Sequence, residues 1–83
     1  MRHATPETLD RLEPLLTQLR LVVGLRERTR GTFYLKSRAF LYFHEDPGGD
    51  FADLKQDGAW RRLGVSTAVD RHALLRAVRR LAG

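Results

Sequence analysis

Cysteine is absent from the 83 residues. That excludes a disulfide framework, thiolate nucleophiles and cysteine-ligated zinc. Long apolar runs are absent too. The longest, Leu21 to Leu25 with its glycine counted and Ala39 to Phe43, hold five residues, against the ~20 that a membrane-spanning helix needs. No basic stretch precedes an apolar segment in the manner of a signal peptide, so a cytoplasmic address is expected. There is no His-Glu-x-x-His pattern, no Gly-x-Ser-x-Gly around Ser37 or Ser66, and no Walker spacing after Gly48-Gly49. The usual sequence signs of metal hydrolysis, serine catalysis and phosphate cradling are therefore missing.

What is present suits a small globular domain. Apolar residues make up 42% of the chain and charged residues 30%, too apolar for a disordered segment. The length fits one domain over residues 1–83, and a chain this short buries only about 60% of the surface its unfolded form exposes. Its stability is expected to be marginal or shared with a partner.

The net charge is +5, and thirteen of the fifteen basic residues are Arg, the side chain suited to gripping phosphate or carboxylate bidentately. The charge is unevenly spread. Residues 1–43 carry eight basic and four acidic groups. Residues 44–57 carry five acids (Glu45, Asp46, Asp50, Asp53, Asp57) and one Lys, and residues 58–83 carry six Arg and one Asp. An acidic strip between two basic regions can steer a polyanion or draw two copies together.

Thr5-Pro6-Glu7 reads as a helix start, with Thr5 as N-cap and Pro6 where no donor is needed. Leu9, Leu12, Leu16, Leu19 and Val23 recur at helical spacing. Pro14 predicts a kink or a restart within that helix, and Gly24 a left-handed stop. Residues 25–31 read as a polar, basic connection. Thr32 to Lys36 and Ala39 to His44 read as a hairpin turned at Ser37-Arg38. Asp46 to Asp50 is a Pro/Gly loop, Phe51 to Lys55 a third strand, Asp57-Gly58 a hairpin turn, and Ala59 to Val65 a fourth strand with a candidate bulge at Gly64. Ser66 or Thr67 then caps a final helix, with Asp70 completing a capping box and Val69, Leu74, Ala77, Val78 and Leu81 as its apolar stripe. The fold class is α+β, order α-β-β-β-β-α, with a four-stranded antiparallel meander flanked by the two helices.

The hairpin is too apolar for one wet face. Strict alternation sends Phe40 and Tyr42 to one side, and Leu41 and Phe43 to the other. An uncovered aromatic face on so small a domain is a contact surface. A homodimer through the sheet is expected, with Tyr34, Tyr42 and Phe43 at the interface.

Chemistry-bearing clusters are few. His44-Glu45-Asp46 with Asp50 and Asp53 offers candidate ligands, but neighbouring strand residues point apart. A solvated acidic loop is the expectation, with no metal and no cofactor. His44 with Asp53 is the one acid–base pair open to an enzyme reading. No catalytic residue is assigned. The basic and aromatic combination leads instead to nucleic acid, through Arg26, Arg28, Arg30, Lys36, Arg38, Arg61 and Arg62, the last two beside Trp60. The alternative is a self-associating protein-interaction domain whose charges serve solubility.

Gly24-Leu25-Arg26-Glu27 after a leucine-rich helix, Phe33 through Phe40, and Ala52-Asp53-Leu54-Lys55 resemble the core of the MmcQ/YjbR-like family. Trp60 on a late strand and the Leu74-Leu75 helix follow in the corresponding order. The resemblance covers roughly residues 15–81. It implies a compact α+β unit around an antiparallel sheet, likened to double-wing DNA-binding domains, in a mostly uncharacterised cytoplasmic family. This chain is shorter, has Val23 where the family tends to have Pro, and compresses the segment from Lys55 to Trp60. No catalytic residue carries over.

Overall fold

The computed structural model describes residues 2–83. Its elements are β1 (Arg2–His3), α1 (Pro6–Arg20), β2 (Leu25–Thr29), β3 (Thr32–Leu35), β4 (Arg38–Asp46), β5 (Gly49–Gln56), β6 (Ala59–Gly64) and α2 (Ala68–Ala82). The class is α+β with a fully antiparallel sheet, as expected, but the sheet has six strands rather than four. Five follow chain order, β2-β3-β4-β5-β6, and β1 pairs with the far end of β4. No helix among the described residues is long and apolar enough to cross a membrane.

The two added strands are those whose residues look least like strands. β2 reads Leu-Arg-Glu-Arg-Thr, and its charges disguise it as a loop. It is an edge strand, and charge on an edge discourages stray pairing. β1 is held by the Arg2↔Glu45 and His3↔His44 register and by the Ala4 N–H donating to the Phe43 carbonyl.

Both helices cover one face. Leu12, Leu15, Leu16 and Leu19 of α1 and Leu74, Leu75 and Val78 of α2 meet Phe33, Leu41, Phe43, Ala52 and Leu54 of the sheet in one cluster. The caps are local and simple. The Thr5 hydroxyl accepts from the Thr8 N–H and the Thr67 hydroxyl from the Asp70 N–H. α1 runs unbroken through Pro14, whose ring sits on the exposed side. It ends at Arg20, before Gly24, so Val23 leaves the apolar stripe and is 89% exposed. Val69 is likewise exposed at the start of α2.

One register shift reorders the hairpin. Phe33 pairs Leu41 while Tyr34 pairs Ala39, which leaves Phe40 as the extra residue of a bulge. Phe40 therefore breaks the alternation and joins Leu41 and Phe43 in the core. Gly64, by contrast, pairs in register with Phe51 and is no bulge.

Candidate functional site

The sheet's second face is free of helices. Period-two alternation and the ladder register place Arg26 of β2, Tyr34 of β3, Tyr42 and His44 of β4, Asp53 and Lys55 of β5, and Trp60 and Arg62 of β6 on it. Arg28, which falls at the β2–β3 register shift between Glu27 and Thr29, joins them through its contact with the Tyr34 ring. Cross-strand neighbours pack rather than stand apart. Trp60 reaches over β5 to meet Tyr42 edge-on, with ring centroids 5.0 Å apart. Tyr42 meets His44 edge-on at 4.7 Å, and His3 stacks on His44 at 5.3 Å. Cations lie on the aromatic faces: the Arg28 guanidinium is 4.7 Å from the Tyr34 centroid and Lys55 Nζ is 4.9 Å from that of Trp60.

Asp53 anchors this surface. It is only 4% exposed, and Arg62 donates to both its oxygens, from Nε at 2.9 Å and from a terminal nitrogen at 3.1 Å. His44 Nε2 lies 2.8 Å from Oδ2, within ion-pair range but out of line for a hydrogen bond. The bidentate Arg62 grip lowers the Asp53 carboxyl below its ordinary range, with His44 adding to the effect. The two residues of the acid–base reading are thus neighbours. Both ring nitrogens of His44 are buried beneath the surrounding side chains, so the imidazole is closed to a substrate. Among the described residues no group of three His, Asp or Glu is arranged to hold a metal ion.

The predicted basic residues divide into four groups. Arg26, Arg28 and Arg62 lie on the open face. Lys36 and Arg38 stand at the tip of the β3–β4 hairpin. Arg30 belongs elsewhere: it binds Asp10 at 2.8 Å and Glu13 at 2.8 Å and ties the β2–β3 turn to α1. Arg61 pairs with Leu54 on the helix side, beside a groove shared with Arg80. Of the expected interface residues, Tyr34 and Tyr42 are half-buried on the open face. Phe43 is 3% exposed and points into the core, so it is withdrawn as a contact residue. The parity of β4 decides this, because Phe43 pairs with the fully buried Ala52. Lys55 was missed, although it lies two residues from Asp53 and so on the same face.

The acidic segment has structural work. Glu45 Oε1 accepts the Thr5 N–H at 2.6 Å and Oε2 accepts from Arg2, so it caps the start of α1. These contacts, the Thr5 N–H foremost, bring its carboxyl down to about 2. Asp50, opposite Glu45 in the ladder, takes Arg11 at 3.3 Å. That cation and the helix N-terminus offset two like charges set face to face. Asp46 Oδ1 accepts the Gly48 N–H at 2.7 Å and closes the β4–β5 turn. Of the five acids, only Asp57 has no such partner among the described residues. What remains on the open side is Arg26, Arg28 and Lys55, unpaired with carboxylates among the described residues, beside the neutralised Asp53–Arg62 pair. Comparison of the chain with family models, with curated proteins and with solved structures finds no match.

Proposed function

We propose that the chain is a non-catalytic binding module that holds single-stranded nucleic acid on the open face of its sheet. The observation that carries this is the interleaving of cations with aromatic rings on that face, Arg28 on Tyr34 and Lys55 on Trp60. Bases offer π-faces to rings of this kind, and backbone phosphates offer charge to the guanidinium and ammonium groups. Four of the five acids of residues 44–57 that would repel phosphate are held in caps, turns and ion pairs, and Asp57 stands at the β5–β6 turn. The resemblance to the MmcQ/YjbR-like family, likened to DNA-binding domains, leans the same way and remains part of the proposal.

Self-association is the other reading of an open aromatic face, and along the sheet's two edges the charges oppose it. Two-fold pairing of the β6 edges would set Arg61 and Arg62 against their copies. Two-fold pairing of β2 would do the same with Arg26 and Arg28. Like charges across a ladder are destabilising. The test is fluorescence anisotropy of labelled single- and double-stranded DNA and RNA, with the oligomeric state read by light scattering. The reading requires preference for a single strand, weakening with salt, and loss on Trp60→Ala. Binding no tighter than about 10⁻⁴ M at physiological salt, typical of unspecific charge attraction, would overturn it. A stable dimer that is lost on Tyr42→Glu would move the function to self-association.

A further inference from the structure

The sheet splits at one end. The β4–β5 ladder stops at Leu41↔Leu54. Beyond it, Ala39 and Arg38 pair only outward with β3, and Lys55 and Gln56 only outward with β6. The bulge at Phe40 is the cause, since it bends β4 away where the ladder would continue. Two hairpin tips therefore diverge, and a recess of about 470 Å³ opens between them, lined by Leu35, Lys36, Arg38, Ala39, Phe40, Lys55 and Leu81. Its apolar wall comes from Phe40, Leu35 and α2's Leu81, its rim from three cations, and no carboxylate is among the described residues that line it. None of Lys36, Arg38 and Lys55 makes an ion pair among the described residues.

A second feature marks this tip. Lys36 and Ser37 both have positive φ, 52° and 68°, in a two-residue turn where Asn-Gly is the relaxed choice. The other tip uses Asp57-Gly58. Backbone strain retained at a charged tip is a pointer from conformation to use.

We propose that this recess binds the phosphate group of a nucleotide, with the base against the Phe40–Leu35–Leu81 wall and the phosphate among Lys36, Arg38 and Lys55. Lys55 lies over Trp60 on the open face, whereas Leu35, Phe40 and Leu81 stand on the helix side. The recess therefore lies at the split end of the sheet, where the two sides meet, and suits the phosphorylated end of a strand that leaves the open face past Lys55. In that form the proposal rests on the nucleic-acid reading, and in the form of a free nucleotide it stands alone.

The experiment titrates the intrinsic fluorescence of Trp60, the single tryptophan, in wild type and Lys36→Ala/Arg38→Ala. The probes are adenosine monophosphate and one twelve-nucleotide single strand carrying a 5′-phosphate, a 3′-phosphate or neither. A terminal phosphate at one end is expected to tighten binding about tenfold, the scale of charge-assisted hydrogen bonds to phosphate, and the variant is expected to lose that preference. Monophosphate binding that the variant abolishes, with no strand binding, upholds the recess and removes the open-face reading. Strand binding indifferent to terminal phosphate, with no monophosphate binding, removes the recess and leaves the open face. No binding of any probe removes both. Circular dichroism of the variant checks that it is folded, and Arg38→Gln serves as a second variant if it is not.

Discussion

Replacing Ser37 by Gly, alone and together with Lys36→Asn, separates the strain of the β3–β4 turn from the charge the turn carries. Ser37 holds φ at 68° and Lys36 at 52°. A left-handed conformation costs a residue with a Cβ roughly 1–2 kcal/mol. Glycine removes that cost at position 37, but its freer unfolded chain takes back about 0.5–1 kcal/mol. Asparagine at position 36 tolerates the left-handed region and adds a few tenths. The double variant should thus gain about 1 kcal/mol, which in a domain of this size raises Tm by roughly 4–8 °C. Ser37→Gly alone should gain less and keep the preference for a phosphorylated end, whereas the double variant should lose it with the Lys36 ammonium. Thermal melts by circular dichroism and the fluorescence titration read the two effects. A Tm unchanged or lowered by both substitutions refutes the idea that the turn is held against its backbone preference.

Three further outcomes test the fold and its corrections. The Glu45 carboxyl titrates at about 2 when folded, against an ordinary 4.5; its stabilising effect is complete above 4.5 and fades as pH falls through 2. Glu45→Gln should therefore unfold more easily than wild type at neutral pH and equally easily near pH 2, by denaturant titration; a constant gap would remove the capping role. Phe43→Glu should abolish folding, because it sets a charge in the core beside Ala52, whereas Tyr42→Glu should leave a folded chain by circular dichroism; a folded Phe43→Glu would contradict the parity of β4. Gly31 and Gly58 share positive φ, 81° and 80°, but a Cβ at Gly31 would come within 2.7 Å of Leu9 Cδ2 while one at Gly58 meets nothing within 4 Å. Gly31→Ala should lower Tm more than Gly58→Ala, and equal losses would mean that Leu9 gives way freely.

Local signals carried much of the fold. Thr5 and Thr67 cap their helices with their own hydroxyls, and Asp57-Gly58 turns a hairpin, all within three residues along the chain. What escaped sequence reading depends on distant partners. Leu25–Thr29 looks like a charged loop until Tyr34 and Phe33 pair with it. A single bulge moves Phe40 into the core, which no count of alternation reveals. Arg28 and Arg30 sit two apart in sequence, yet Arg30 is bound to Asp10 and Glu13 from α1 while Arg28 lies on Tyr34. The acidic strip looked like a surface feature because its partners, Thr5 for Glu45 and Arg11 for Asp50, are 40 and 39 residues away.

The open face as a nucleic-acid surface is tested most directly by the salt dependence of single-strand binding in wild type, Arg26→Ala/Arg28→Ala/Lys55→Ala, and Arg61→Ala on the helix side. Each phosphate neutralised on a single strand contributes about 0.7 to the slope of log K against log salt. The triple variant should therefore flatten the slope by about 2, and Arg61→Ala should leave it as it is. A triple variant with the wild-type slope, or an equal flattening per cation by Arg61→Ala, would contradict the placement of nucleic acid on this face.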